Sequence, residues 1–184
     1  EDLFREAKKN GMTMMITISH YETPLNLVDK YGGWDNRKFI DFYLKFVRTI
    51  ATRFKGMVKF WLTFNEIGNA AVIPICWDAA GLHPESENLE QRMYQAAHHQ
   101  FVASALATKM IHEIDPDAQV GAMIAYKTVY PYTCKVEDVK AAEAAKRNIS
   151  SRMCRREGII PLIYGDILRR TAFGSPWSGG TRRL

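Results

Sequence analysis

The chain has 184 residues, of which 47% are apolar and 24% charged, as expected for one globular domain with a sizeable core. No window contains the ~18 uninterrupted apolar residues that a membrane span needs, so the composition argues against a membrane protein. The net charge of +5 lies entirely in residues 149–184, which hold seven Arg, no Lys and two acidic residues. The rest has 18 basic and 18 acidic side chains, so the charge does not indicate a nucleic-acid partner.

Strand-like and helix-like segments alternate along the chain. Nearly continuous apolar runs predict strands that are covered on both faces, and apolar residues spaced three to four apart predict helices. The predicted elements are a helix (3–9) stopped by Asn10-Gly11, a strand "MTMMITIS" (12–19), a helix beginning at Asp35 or Asn36 and ending at Gly56, a strand "VKFWLTF" (58–64), a long helix (87–115) stopped by Pro116, a strand "AQVGAMIA" (118–125) and a helix (136–148).

This alternation predicts an α/β fold, with a parallel sheet and helices packed outside it. In such folds the active site lies beyond the carboxyl ends of the strands, in open sheets and closed barrels alike. The strand over 58–64 runs directly into Asn65 and Glu66. We therefore expect this amide and this carboxylate to face a site.

The other predicted strands also end in polar and aromatic residues. One runs into His20, Tyr21 and Glu22, and another into Tyr126, Lys127, Tyr130 and Tyr132, with Trp77 also available. Aromatic faces next to amide and carboxylate groups suit the apolar and hydroxyl surfaces of a sugar ring. A half-buried Glu66 could pass a proton to a leaving oxygen, and glycoside hydrolysis with retention needs a second carboxylate ~5 Å away. The alternative is that Asn65-Glu66 only caps the next helix.

The remaining candidate sites are weaker. His98 and His99 lack the spacing of a metal site and are expected to pack on the surface or in the core. The "YGGW" turn (31–34) has no following Lys or Ser/Thr that would make it a phosphate loop. Cys76, Cys134 and Cys154 are odd in number and lack metal-ligand spacing, so we predict free thiols in a reducing compartment.

Two long stretches resemble the family-1 glycoside hydrolases. They are "SHYETPLNLVDKYGGWDNRKFIDFYLKFVRTIATRFKGMVKFWLTFNEI" and "MYQAAHHQFVASALATKMIHEIDPDAQVGAMIAYKTVYPYTC", and the second is similar to the branch that hydrolyses 6-phospho-β-glucosides. The combination of "SH-aromatic", "YGGW" and "TFNE" is specific. The resemblance covers residues 1–148 and implies a partial (β/α)8 TIM barrel, with strands three to five of eight and their helices.

The resemblance also implies roles for single residues. Glu66 would be the general acid/base, Asn65 would bind the sugar hydroxyl next to the scissile bond, and His20 would bind the same sugar. Tyr21 stands where many relatives carry a Trp that contacts the sugar. Glu22 is the other strand-end carboxylate, but the family's nucleophile is a Glu in a "TENG"-type motif on strand seven. This sequence has no such motif, and it also lacks the loop that grips the 6-phosphate.

Residues 149–184 do not continue the resemblance. If the codons are read one nucleotide out of register, synonymous choices allow "YFFTDVQARGYYPSYIWRYFAENGI" directly after Asn148, which is the type of segment that the family has there. We therefore predict a domain over 1–148 followed by an out-of-frame tail over 149–184. The alternative is a genuine basic tail that binds an acidic partner.

The sequence thus predicts a retaining 6-phospho-β-glucosidase, with this chain inactive as a fragment. The substrate would be a small phosphorylated β-glucoside, and neither a metal nor an organic cofactor, a nucleic acid or a membrane is expected. The N-terminus "EDLFREAKKNG" lacks both an initiator Met and a secretory signal, which predicts a piece of a longer cytoplasmic protein. The alternatives are a β-glucosidase for non-phosphorylated substrates and a non-catalytic sugar-binding or defective fragment. No oligomeric state is indicated.

Overall fold

The computed structural model describes residues 1–125 and 128–154, with side-chain environments as far as Lys146. Helices and strands alternate as the sequence predicts. The elements are α1 (Asp2–Lys9), β1 (Met15–Ser19), α2 (Leu25–Tyr31), α3 (Lys38–Arg53), β2 (Phe60–Phe64), a short 3-10 helix (Asn69–Ala71), α4 (Cys76–Ala80), α5 (Leu89–Ile114), β3 (Gln119–Gly121) and α6 (Val136–Cys154).

The three strands form one parallel sheet in the order β1-β2-β3. Met15 is level with Phe60 and Gln119, and Thr17 is level with Leu62 and Gly121. All three carboxyl ends therefore lie at one edge of the sheet, as predicted. The α/β class is confirmed by this topology.

The prediction that the strands are covered on both faces is wrong for the described part of the chain. On one face Trp61 and Val120 are each 2% exposed, because α3 and α5 and the residues around them pack against that side. On the opposite face Met15 remains 61% exposed. The uninterrupted apolar run suggested burial on both faces because Met15 is apolar as well. Among the described residues, however, only one face of the sheet is covered.

The core lies between the sheet and the two long helices, α3 and α5, which pack against each other. Trp34 sits at its centre, with ring centroids 5.6 Å from Phe39, 5.7 Å from Tyr43 and 5.3 Å from Phe64. The hydroxyl of Tyr43 donates a hydrogen bond to the carbonyl oxygen of Thr63 at 2.7 Å. Aromatic packing and this buried hydrogen bond fix α3 against the end of β2.

The "YGGW" turn has a structural cause. The N–H of Trp34 donates to the carbonyl oxygen of Ala80 at 2.8 Å, which brings the backbone at Gly33 against α4. A Cβ on Gly33 would lie 2.3 Å from that carbonyl oxygen and 2.7 Å from a methyl carbon of Leu82. Only glycine fits at this close approach, so the motif anchors the turn before α3.

Other sequence-based predictions meet mixed outcomes. The helix that was predicted over 136–148 continues to Cys154, beyond the predicted domain end at residue 148. The out-of-frame tail stays a prediction, because residues 155–184 lie outside the described residues.

Cys76 is a buried free thiol and Cys134 an exposed one. Within the described residues, none of the helices combines the length and the apolar character that a membrane crossing requires.

Candidate functional site

The ends of β1 and β2 are joined where the site residues begin. The N–H of Asn65 donates to the carbonyl oxygen of Ser19 at 2.8 Å, and Ser19 is level with Phe64 in the parallel register. The N–H of Ile67 donates across the other side to Met123 at 2.9 Å. Because the strands are parallel and in this register, four residues lie at one edge of the sheet, namely His20, Tyr21, Asn65 and Glu66.

A hydrogen-bonded cluster forms at this edge. The hydroxyl of Tyr21 donates to Oε2 of Glu66 in a short contact. The side-chain amide of Asn69 donates to the same Oε2 at 2.8 Å and to the hydroxyl oxygen of Tyr21 at 2.7 Å. Two polar side chains, one from the end of β1 and one from the 3-10 helix, thus donate to the same carboxyl oxygen of Glu66.

The other oxygen of Glu66 is left open. No hydrogen bond to Oε1 is found within the described residues. Oε1 is also not among their fully buried side-chain N or O atoms that lack a partner, of which Oδ1 of Asp35 is the only one. Within the described residues, the half-buried carboxyl group therefore has one oxygen that accepts hydrogen bonds and one that has no such partner.

The backbone at both ends of this contact is in the left-handed region. Tyr21 has φ +74° and Glu66 has φ +42°, and neither is a glycine. Such conformations cost about 1–3 kcal/mol each and persist where the surroundings fix them, which occurs often at functional sites. They turn both side chains towards each other immediately after their strands end.

The phenol of Tyr21 is held in its neutral form. Burial raises its pKa most, and the hydrogen bond to the Glu66 carboxylate raises it further, while the amide of Asn69 acts in the lowering direction. A neutral phenol keeps its proton and can act as a donor. Tyr21 is therefore a permanent hydrogen-bond donor to Glu66 at neutral pH.

The helix-capping alternative for Asn65-Glu66 is not what the structure shows. The N-cap of the following 3-10 helix is Gly68, and no side chain caps it. Asn65 is 7% exposed, and its amide acts on the pKa of Tyr21 in the lowering direction. Both side chains belong to the cluster at the strand ends.

The remaining strand-end residues of β1 have separate surroundings. The ring of His20 is exposed and meets the edge of the Tyr21 ring at 5.7 Å between centroids. Both carboxylate oxygens of Glu22 accept hydrogen bonds from the backbone N–H of His20, at 2.7 and 2.8 Å. The carboxylate of Glu22 therefore faces the backbone of its own turn, and the expectation that it is not the nucleophile stays a prediction.

The aromatic residues that were expected in the cleft are only partly assembled. Trp77 stacks on His83, with ring centroids 4.1 Å apart. Tyr130 and Tyr132 are 77% and 95% exposed, so the described residues do not pack them into a site. Tyr126 and Lys127 lie outside the described residues.

The described cavity is not the predicted cleft. It has a volume of about 360 Å³ and lies between the end of β1 and α3. The site residues His20, Tyr21, Asn65 and Glu66 do not line it. Its lining is mostly apolar and aromatic, and consists of Ile18, Ser19, Glu22, Thr23, Pro24, Leu27, Trp34, Phe39, Phe42, Tyr43 and Phe46.

The histidine pair on α5 has a structural role. Nδ1 of His99 lies 2.8 Å from the carbonyl oxygen of Trp34, and Nε2 lies 2.9 Å from Nε2 of Gln95. His99 is therefore a satisfied core residue that ties α5 to the "YGGW" turn. Across the part of the chain that the structure describes, no group of three or more His, Cys, Asp or Glu side chains could hold a metal ion.

Asn69 is the residue of this cluster that sequence reasoning missed. It stands three residues after Glu66, a spacing that brings side chains together when the chain makes a helical turn. A 3-10 turn over 66–69, closed by the bond from the N–H of Asn69 to the carbonyl of Glu66 at 3.0 Å, would have predicted the contact.

The comparison with known sequences identifies the family. The sequence model of glycosyl hydrolase family 1 matches residues 1–155. The chain belongs to glycosyl hydrolase family 1. Similar proteins include the aryl-phospho-β-D-glucosidase BglH of Bacillus subtilis (strain 168), 51% identical over 174 residues that cover 94% of this chain and 34% of BglH. The 6-phospho-β-glucosidase AscB of Escherichia coli (strain K12) is 45% identical, over 91% of this chain and 35% of AscB.

The chain therefore spans about a third of the length of these relatives. Solved family-1 structures have a similar fold over the same part. The family-1 β-glucosidase of Thermotoga maritima superposes with a TM-score of 0.64 at 27% identity, over 77% of this chain and 31% of the enzyme. The β-glucosidase of the same organism in complex with deoxynojirimycin gives a TM-score of 0.65 at 26% identity, with 79% and 32% covered.

Proposed function

We propose that the complete protein containing this chain is a retaining 6-phospho-β-glucosidase, with Glu66 as its general acid/base. The observation that carries the proposal is the carboxyl group of Glu66. It lies at the carboxyl edge of a parallel sheet, half-buried, with one oxygen engaged by Tyr21 and Asn69 and the other open. The high identity to AscB and BglH supports the phosphorylated substrate class.

In this proposal the sheet is part of a (β/α)8 barrel, and β1, β2 and β3 correspond to strands three, four and five. The parallel order, the helices packed on one face and the likeness to the Thermotoga maritima enzyme support it. The open face with Met15 would then line the barrel interior.

The reaction divides between two carboxyl groups. Glu66 protonates the leaving oxygen while a carboxylate elsewhere in the complete barrel attacks the anomeric carbon. Glu66 then removes a proton from water, which releases the sugar phosphate. His20 and Asn65 bind the sugar beside the scissile bond. These two carboxyl groups supply the proton transfer and the nucleophile, so neither a metal nor an organic cofactor is required.

A complete barrel tests this function. In a chimera, residues 1–148 replace the aligned segment of BglH, and hydrolysis is measured on paired aryl β-glucosides with and without a 6-phosphate. We expect a preference for the phosphorylated member, and a loss of about 10²–10⁴-fold on poor leaving groups after Glu66→Gln. Full activity of Glu66→Gln would contradict the assignment of the acid/base.

A second candidate is hydrolysis of non-phosphorylated β-glucosides. It is favoured by the structural likeness to the Thermotoga maritima β-glucosidase. In an intact protein with its own C-terminal segment, equal rates on the paired substrates would support this candidate. The 184-residue chain alone would be a non-catalytic fragment. Sugar binding in calorimetry without turnover would identify it as a binding species, and turnover comparable to complete relatives would contradict this.

A further inference from the structure

The two carboxyl oxygens of Glu66 differ in the hydrogen bonds that they accept. Oε2 accepts from the hydroxyl of Tyr21 and from the amide of Asn69, the latter at 2.8 Å. Oε1 has no hydrogen-bond partner within the described residues, whose only hydrogen bonds to this carboxyl group end on Oε2. A protonated carboxyl group carries its hydrogen on one oxygen only. An oxygen that already accepts two hydrogen bonds is the poorer place for that hydrogen.

Asn69 also acts on the donor strength of Tyr21. The amide nitrogen of Asn69 donates to the phenol oxygen at 2.7 Å and to Oε2 of Glu66 at 2.8 Å. A phenol oxygen that accepts a hydrogen bond is a stronger donor through its own O–H, because hydrogen bonds in a chain polarise one another. The two residues therefore reinforce each other at Oε2.

We propose that Tyr21 and Asn69 are positioning residues that occupy Oε2 of Glu66 and thereby place its acid proton on Oε1. This inference rests on the proposed role of Glu66 as the acid/base. It assigns Tyr21 a contact with the carboxyl group rather than the sugar contact predicted from the sequence. It also gives Asn69 a role that the sequence did not suggest.

The proposal makes the proton transfer explicit. The hydrogen on Oε1 passes to the leaving oxygen as the bond between that oxygen and the anomeric carbon breaks. The bonding electron pair stays with the leaving oxygen, while the nucleophilic carboxylate bonds to the anomeric carbon. Glu66 becomes a carboxylate, and its negative charge is stabilised by the two donors that already face Oε2. In the second step water gives a proton to Oε1 while its oxygen bonds to the anomeric carbon, and the bond between that carbon and the nucleophilic carboxylate breaks with its electron pair returning to the carboxylate.

The backbone supports a fixed arrangement. Both Tyr21 and Glu66 hold left-handed φ values, and Asn69 opens the 3-10 helix that follows Glu66 within a few residues. The three side chains are therefore placed by two strand ends and one helical turn, and the carboxyl group cannot exchange its two oxygens without losing both hydrogen bonds.

The test measures leaving-group dependence in the chimera of residues 1–148 with BglH. Two phosphorylated substrates are compared, one with a strongly acidic phenol that departs without a proton and one with a weakly acidic alcohol. Tyr21→Phe removes one donor, and Asn69→Ala removes the other while it leaves Tyr21 in place. Asn26→Ala, an exposed amide on α2, is the matched control.

We expect each positioning variant to lose about tenfold or more on the alcohol substrate, the size of one hydrogen bond to a charged group, and less than about threefold on the phenol substrate. Asn26→Ala should behave as the unsubstituted chimera. A purely structural role would lower both rates together. Equal losses on the two substrates, or no loss on the alcohol substrate, would overturn the positioning role.

Failure of the proposed function has a different signature. If Glu66→Gln leaves the ratio of the two rates unchanged, or if the folded unsubstituted chimera is inactive, the acid/base assignment itself fails. If Glu66→Gln changes the ratio and neither positioning variant does, only the present inference fails. Circular dichroism of each variant establishes whether the barrel is folded. Tyr21→Phe and Asn69→Ala remove different donors, so if one of the two variants does not fold, the other still tests the inference.

Discussion

The backbone N–H of Asn65 donates to the carbonyl oxygen of Ser19 at 2.8 Å, where the polar residues that follow β1 and β2 begin. This bond continues the parallel register in which Met15 pairs with Phe60 and Ser19 with Phe64. A shift by one residue would turn the site residues to the other face of the sheet. The contact between Tyr21 and Glu66 is therefore a consequence of the register of β1 and β2.

The ionisation of Tyr21 should report on its two partners in opposite directions. Burial and the Glu66 carboxylate raise the pKa of Tyr21, whereas Asn69 lowers it. Glu66→Gln should therefore move the pKa of Tyr21 down towards the ordinary value of about 10, and Asn69→Ala should move it further up. The measurement is tyrosinate absorbance against pH, with the titration of Tyr21→Phe subtracted to isolate this residue among the eight tyrosines. Shifts of the same sign in both variants would contradict the arrangement.

Alkaline stability should depend on Tyr43. Burial and then the charge of Glu22 raise the pKa of this phenol well above its usual value. The folded state thus keeps a proton that the unfolded chain loses near pH ~10, so the contribution is complete below that pH and falls as pH rises through the folded pKa. Tyr43→Phe should lower the free energy of unfolding at neutral pH by about 1–3 kcal/mol, because the carbonyl of Thr63 loses its donor.

The same variant should lose less stability than the unsubstituted chain between pH ~9 and pH ~12, since phenylalanine does not ionise. Urea unfolding at both pH values measures the difference. Tyr132→Phe, at a position 95% exposed, is the control and should leave the pH dependence unchanged. An identical alkaline loss in Tyr43→Phe would show that another group is responsible.

The close approach at the "YGGW" turn should make Gly33 intolerant of any side chain. A Cβ there would lie 2.3 Å from the carbonyl oxygen of Ala80, a backbone atom that cannot move without displacing α4. We expect Gly33→Ala to lower the free energy of unfolding by about 2 kcal/mol or more. Gly121→Ala is the matched control, because its Cβ would meet Leu62 at an ordinary 3.6 Å. Similar unfolding midpoints for the two variants would contradict this packing.

The coding DNA around codon 148 tests the interpretation of residues 149–184. We expect the neighbouring reading frame to encode a segment of the type "YFFTDVQ-RGYYPSY" that continues the family sequence. An intact frame that encodes the Arg-rich peptide, with no family-like sequence in either neighbouring frame, would instead establish a genuine basic tail. The comparison needs only the gene sequence, and resequencing of an independent clone is its control.

Much of the fold follows from hydrophobic spacing alone. The helix predicted to end at Gly56 carries apolar residues three to four positions apart, and most of them are buried or half-buried, namely Phe39, Ile40, Tyr43, Val47, Ile50 and Phe54. Phe46 belongs to the same spacing but is 51% exposed, and it lines the cavity beside β1. Helix α2 was not predicted from the sequence, and there is a physical reason for this. It has no buried residue, so no apolar stripe marks it in the sequence, although Pro24 and Gly32 stand at its two ends.

The part of the site that could be predicted from the sequence is the position of the residues that directly follow a strand. Asn65 and Glu66 follow an apolar strand directly, so their place at the edge of the sheet follows from the pattern. The contacts of Glu66 depend on its left-handed backbone and on that of Tyr21, which nothing in either side chain favours, since non-glycine residues rarely adopt such conformations. The contact of Asn69 depends on the turn over 66–69, and the spacing from Glu66 indicates it only once that turn is known.

The two left-handed residues have a consequence for how the protein divides its energy between stability and chemistry. Each conformation costs the native state some stability, and glycine would hold the same backbone with less strain. A glycine at Tyr21 would remove the donor to the carboxyl group, and a glycine at Glu66 would remove the carboxyl group itself, so we expect selection for heat tolerance to leave both positions unchanged.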